Sequence, residues 1–155
     1  MLLPSLLQIK PMDDNLHHGD KLIVGNKERV SFPDQKRHHV VARIDSGARS
    51  SSVHCDEIWV EELDGKKVLC CHFLKRSKKV VRFQKFKRRK IKSSNGQIET
   101  RYIVEVKIRL GNCEKITQVS LNDRSTMNYS VLLGRRFLAD DFLIDVSRSY
   151  VQNEL

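Results

Sequence analysis

The chain has 155 residues, 39% hydrophobic and 31% charged, the mixture of one globular domain long enough to bury a core without disulfides or metal. Seven glycines and three prolines exclude a low-complexity chain, and no apolar run approaches the roughly 20 residues of a membrane helix. The net charge of +10 and pI of about 9.7 favour an acidic partner such as nucleic acid, anionic membrane or an acidic peptide, and say nothing about fold.

Residues 1–21 read as a flexible N-terminal arm, and 22–155 as the domain. Pro4, Pro11 and Asp13-Asp14-Asn15 show no periodicity. The apolar start Met1–Ile9 lacks a basic n-region and a small-residue cleavage site, so it reads as a tail or a precursor remnant rather than a signal peptide. From Leu22 the pattern becomes β. Leu22-Ile23-Val24 ends at Gly25, Arg29–Phe32 ends at Pro33, and Val40–Ile44 runs into Asp45-Ser46-Gly47-Ala48. Ile58–Leu63 turns at Asp64-Gly65 into Val68–Leu74, a strong hairpin signal. Asn95-Gly96 marks another, with a type I′ turn, joining Arg89–Ser93 to Ile98–Leu110. In that last strand Tyr102, Val104, Val106, Ile108 and Leu110 alternate with mostly polar residues, so one face is buried. Gly111-Asn112 leads into Lys115–Leu121, Val131–Gly134 is a short buried strand, Arg135–Ala139 a brief helix, and Phe142–Asp145 and Arg148–Val151 close the chain. About ten short strands with regular turns give an all-β fold, a closed or nearly closed barrel with one short helix.

The four cysteines, Cys55, Cys70, Cys71 and Cys113, include adjacent residues that a strand points to opposite faces. They read as free thiols of a reducing cytoplasm, small and buried, not as a disulfide framework.

Asp45 ends a buried strand and precedes Ser-Gly. Alone, that tripeptide is no more than an Asx-turn closing a strand. Leu132-Leu133-Gly134-Arg135, with Gly134 lying 87 residues beyond Gly47, changes the balance. A hydrophobic strand with Asp-Ser-Gly-Ala, a hairpin tip, then Leu-Leu-Gly-Arg and a short helix is the order found in retropepsins. Residues 22–151 resemble the bacterial retropepsin-like family long labelled an ATP-dependent zinc protease, some members of which accompany ribosomal-protein modification by glutamate ligation. The resemblance rests on Val24-Gly25 with Glu28, on Ala42–His54, Lys92–Gly96, Arg101-Tyr102, Val119–Met127, Leu132–Arg135 and Phe142–Tyr150. Asn26 stands where the family usually has Trp, and Ser46 where Thr is commoner.

The resemblance implies an acid-protease barrel of the six-stranded type. It implies a catalytic Asp45 with Ser46 and Gly47, Ser46 tying two such loops together and Gly47 leaving room for the substrate backbone. Aspartic hydrolysis needs two carboxylates that share a proton, one as base towards water and one as acid. One motif per chain therefore implies a twofold homodimer. Ala48, Arg49, the flap residues Ser94, Asn95 and Gly96, and Arg135 are the expected substrate-binding residues. Retroviral relatives carry a carboxylate at the position of Arg49, paired with the downstream Arg. Here Arg135 needs another partner, with Asp123 and Asp145 as candidates, and Arg49 either faces the cleft or turns outward to a surface acid.

No His-Glu-x-x-His and no phosphate loop occur. The zinc candidates His54-Cys55 and Cys70-Cys71-His72 match no common structural spacing, so no metal or cofactor is expected. Lys75–Lys92 holds eleven Lys/Arg among eighteen residues and no acid. It is either a solvated hairpin or a docking surface for RNA, the ribosome or an acidic peptide; an aromatic content of 6% argues against base stacking. The leading function is a cytoplasmic aspartic endopeptidase acting on acidic or glutamate-rich protein segments, with ribosome association and no membrane. The alternatives are a non-catalytic basic barrel that binds RNA or an acidic protein, and a zinc-dependent peptidase.

Overall fold

The computed structural model describes residues 16–92 and 95–152. Most of the expected arm, and Ser94 of the expected flap, lie outside the described residues. Residues 17 and 18 form β1 (His17–His18), which pairs antiparallel with β2 (Lys21–Val24). There follow β3 (Lys27–Phe32), a 3-10 turn over Pro33–Gln35, β4 (Arg37–Ile44), β5 (Ser51–Leu63), β6 (Lys66–Phe73), β7 (Val81–Phe83) and β8 (Lys87–Lys92). The chain continues through β9 (Ile98–Leu110), β10 (Cys113–Asn122), β11 (Val131–Leu133), the helix α1 (Arg135–Leu138) and β12 (Phe142–Ile144). No helix among the described residues is long and apolar enough to cross a membrane.

The described residues form an all-β fold with one short helix, as the sequence indicates. Six strands close on themselves: β10 pairs with β9, β9 with β3, β3 with β4, β4 with β11, β11 with β5, and β5 in parallel with β10. β6 and β7 extend the sheet beyond β5, and β8 pairs with the first part of β9. A separate small sheet joins β1, β2 and β12, with β12 parallel to β2.

Period-two patterning makes this ring. Val104, Val106, Ile108 and Leu110 of β9 are buried, with Tyr102 packed against them, while Glu105 and Arg109 face water. Val119 and Leu121 of β10, Val30 and Phe32 of β3, and Phe137 and Leu138 of α1 fill the same core. Phe32 meets Phe73 edge-to-face with ring centroids 5.1 Å apart. Burying such a ring contributes roughly 1.5–3 kcal/mol. All four cysteines are free, and Cys55, Cys70 and Cys71 are buried. A hydrogen bond with Cys71, with burial added, pushes the Cys55 thiol far up.

Asp64 and Gly65 both have positive φ, 51° and 77°, and join Leu63 directly to Lys66, as a type I′ turn requires. Lys92 pairs with Ile98 across the second hairpin, and Gly96 has a positive φ, 87°; the expected type I′ turn at Asn95-Gly96 begins at Ser94, which lies outside the described residues. β5 starts at Ser51 rather than near Ile58, because its first residues pair with β10 on one side and β11 on the other.

Arg148–Val151, expected as a closing strand, is irregular. A side chain replaces the ladder here. The buried carboxylate of Glu28 accepts N–H bonds from Gly25 (2.7 Å), Val151 (2.9 Å) and Gln152 (3.0 Å). Asn26 N–H donates to the Arg148 carbonyl at 2.8 Å and Tyr150 N–H to the Lys27 carbonyl at 2.9 Å. Gly25 has no alternative, since a Cβ there would stand 2.2 Å from the Arg148 oxygen.

Candidate active site

Asp45 follows directly on β4. β11 lies between β4 and β5, parallel to the first and antiparallel to the second. Ala42 and Ile44 on one strand and Val131 and Leu133 on the other point their apolar side chains to the same buried face, with Arg43 and Leu132 turned away from it, which fits the pairing of Val131 with Ala42 and Leu133 with Ile44. The Asp45 N–H extends the pairing by donating to the Leu133 carbonyl at 2.9 Å.

Two sets of hydrogen bonds then fix the Asp45–Ser50 loop. Internally, Gly47 N–H donates to Asp45 Oδ1 (2.9 Å) and Ala48 N–H to the Asp45 carbonyl (3.3 Å). The Asx-turn is thus present, and it orients the carboxylate. From outside, Arg135 N–H donates to the Ala48 carbonyl (2.8 Å), Arg136 N–H to the Arg49 carbonyl (3.0 Å), and Arg135 Nη1 to the Ser46 carbonyl (2.9 Å). Gly134 lets these elements meet. A Cβ there would lie 2.6 Å from the Ser50 oxygen and 2.8 Å from the Ala48 oxygen, and its N–H reaches Ser51 Oγ at 3.1 Å. Asp45 and Ala48 are half-buried, while Ser46, Gly47, Arg49 and Arg135 are exposed.

Asp45, Ser46, Gly47, Ala48 and Arg135 therefore form one hydrogen-bonded unit, with Arg49 joined to it through its carbonyl. Arg135 uses a backbone oxygen where a carboxylate partner was expected. Asp123 accepts from Ser125 N–H (2.8 Å) and Asp145 from Ser147 N–H and hydroxyl (3.0 and 2.6 Å). Each of these bonds to Ser draws its carboxyl below the usual range.

Sequence reasoning missed a second layer. The Ser52 hydroxyl donates to Asn122 Oδ1 (2.8 Å) and lies 3.4 Å from Arg124 Nη1, while Arg124 Nε donates to the Tyr129 carbonyl (3.0 Å). The Arg124 N–H donates to Nδ1 of the fully buried His54 (2.8 Å), so the other ring nitrogen, Nε2, carries the proton towards Asp56 at 2.6 Å. That bond to His54 draws the Asp56 carboxyl down. Burial lowers the pKa of Arg124, the nearby charge of Arg101 adds to this, and the Asp45 carboxylate opposes it. Arg124 thus feels both the Asp45 loop and the middle of the β8–β9 hairpin. The legible signal was three serines followed by Val-His on a strand leaving the Asp45 loop, polar residues where a core strand should be apolar.

Asn95 and Gly96 occupy the hairpin connection, where Asn95 Oδ1 accepts the Gln97 N–H at 3.2 Å. Every residue of β8 is exposed, and Ile98 is 70% exposed. Few buried contacts hold such a hairpin, so its amides should exchange far faster than those of Val104–Leu110. Equal protection by hydrogen exchange would remove its assignment as a flap. Among the described residues, no three His, Cys, Asp or Glu side chains converge as a metal site needs.

Comparison with known proteins agrees with the all-β fold. The profile of the family described as "Retropepsin-like aspartic endopeptidase RimB" matches residues 23–155. A probable alpha-L-glutamate ligase of Shewanella halifaxensis is 36% identical over 144 residues, 90% of this chain and 30% of that protein. A protein of the same name from Desulfotalea psychrophila is 34% identical over 130 residues, 81% of this chain and 28% of that one. The chain thus spans about three-tenths of these curated relatives' length. A crystal structure of a Legionella pneumophila protein of unknown function superposes with a TM-score of 0.68 at 26% identity, covering 84% of this chain and 98% of that one. The chain belongs to the RimB-like family of retropepsin-like aspartic endopeptidases.

Proposed function

We propose that this chain is one half of a homodimeric aspartic endopeptidase, with residues 22–155 as the catalytic domain and 1–21 as an arm. The observation that carries the reading is a single, accessible Asp45 carboxylate, oriented by Gly47 and held on a loop that Gly134 and Arg135 clamp from behind. A second copy brings the second carboxylate. The close pair shares one proton: the ionised member takes a proton from water as it attacks the peptide carbonyl, and the protonated member donates to the departing nitrogen. Ser46 of each copy links the loops, Gly47 and Ala48 line the substrate backbone, and Ser94, Asn95 and Gly96 close over it.

The basic surface favours acidic or glutamate-rich protein segments as substrate, and suits ribosome association in the cytoplasm. Relatives named for glutamate ligation, of which this chain matches a part, support the same substrate class.

Specific activity should fall on dilution, in step with a monomer–dimer equilibrium followed by sedimentation. A chain that is monomeric at every concentration and fully active would overturn the proposal. The same assay should be insensitive to strong chelators and to the absence of nucleotide; loss on chelation, restored by zinc, would favour the zinc-dependent alternative.

A further inference from the structure

Beside the Asp45 loop lies a cavity of about 80 Å³, lined by Arg49, Ser50, Arg89, Gln118, Ser120 and Arg136 among others. Three separate elements supply its arginines: the Asp45 loop, the hairpin strand β8 and the helix α1. No carboxylate among the described residues lines it. Arg136 is held in place, its Nη1 donating to Gln118 Oε1 at 2.8 Å and its N–H to the Arg49 carbonyl at 3.0 Å. Three arginines lining one small cavity with no carboxylate beside them make a cationic surface, so the arrangement favours an anionic occupant.

The cavity has room for the tip of an acidic side chain. It shares Ile103 and Gln118 with a larger open groove of about 660 Å³, whose basic residues are Arg82, Lys85 and Lys87, with Glu105 as its one acid. The two together lead from the Asp45 loop into the basic stretch 75–92.

We propose that this three-arginine pocket, Arg49 with Arg89 and Arg136, is a subsite that grips an acidic side chain of the protein substrate, with the adjoining groove carrying the rest of that acidic segment away from the cleavage point. The inference rests on the endopeptidase reading for its occupant. A peptide is favoured over RNA because the pocket begins at Arg49 and Ser50, directly after the Asp45 loop, and none of its lining residues is aromatic. The basic strand β8 thereby acquires a role, since its Arg89 lines the pocket.

A binding measurement that needs no turnover tests this. In an Asp45→Asn background, fluorescence anisotropy follows a short labelled peptide alternating Glu and Ala, its Gln–Ala counterpart, and oligouridylate at fixed salt. Combined Arg49→Gln, Arg89→Gln and Arg136→Gln should weaken the Glu peptide by roughly ten- to a hundred-fold and the Gln peptide far less, while Lys at the three positions should restore much of the loss. Arg89→Gln alone, on an exposed strand, should give a smaller loss in the same direction without disturbing the fold. Unchanged affinity for the Glu peptide would overturn the proposal. So would a larger loss for oligouridylate than for the peptide, which would make the pocket a phosphate site. A wild-type chain that binds the Glu peptide through these arginines yet hydrolyses no acidic substrate would sink the endopeptidase reading and leave the pocket standing.

Discussion

Replacing Asp45 by Asn should lower peptide hydrolysis by at least about 10²–10⁴-fold, the range for loss of a positioned acid or base, while leaving the fold and the binding of acidic peptides in place. The Asn side chain keeps an oxygen for the Gly47 N–H that now bonds Asp45 Oδ1 at 2.9 Å, so the loop has no reason to collapse. What it lacks is the ability to hold a charge and share a proton. If two chains each contribute one carboxylate, the variant should also poison the wild type, because a mixed dimer carries one carboxylate where two are needed. An excess of Asp45→Asn chain should therefore suppress wild-type turnover. Retained hydrolysis in the pure variant, or no suppression in the mixture, would count against the shared site. Retained binding with no hydrolysis in either protein would favour the basic binding module.

The second large effect is on stability. Glu28 is fully buried, and its carboxylate accepts three backbone N–H groups. Glu28→Ala removes both carboxylate oxygens and leaves three backbone N–H donors without their acceptor, those of Gly25 and Val151 in buried surroundings. An unsatisfied buried group costs about 1–3 kcal/mol, so the loss should be roughly 3–5 kcal/mol, a large part of the approximately 5–15 kcal/mol that holds a domain together. Glu28→Gln keeps one carbonyl oxygen and turns an NH₂ towards donors, so it should cost less than Ala but well over 1 kcal/mol. Urea unfolding measures both. A midpoint for Glu28→Ala within error of the wild type would show that the 148–152 segment is not held by this carboxylate.

Local signals carried the sequence reading where the chemistry is local. The alternation along Val104–Leu110 gave β9, Asp64-Gly65 gave its turn, and Asp45-Ser46-Gly47 with Leu132–Arg135 gave the loop and its clamp, because each is a short pattern with one low-energy solution. What escaped depends on partners far away in sequence. Arg148–Val151 has the composition of a strand, yet Glu28, 123 residues from Val151, takes the Val151 N–H and that of Gln152 instead. His54 looked like a stray metal-ligand candidate until Arg124, 70 residues on, supplied a donor for its ring. The partner of Arg135 was sought among carboxylates by analogy, and turned out to be a carbonyl in the loop it supports. Arg89 and Arg136 could not be paired from the sequence, since only the fold brings β8 and α1 to one cavity.

The placement of β11 also sets when the Asp45 loop can assemble during synthesis. The chain grows from its N-terminus, and earlier segments fold first. β4, the Asp45 loop and β5 emerge well before β11, and Arg135 reaches back 89 residues to the Ser46 carbonyl. Until Val131–Leu138 has left the ribosome, β4 and β5 lack the strand that separates them, and the Asp45 loop lacks Gly134 and Arg135 at its back. A chain that ends before this segment therefore carries the Asp45 loop without the strand and the arginine that fix it.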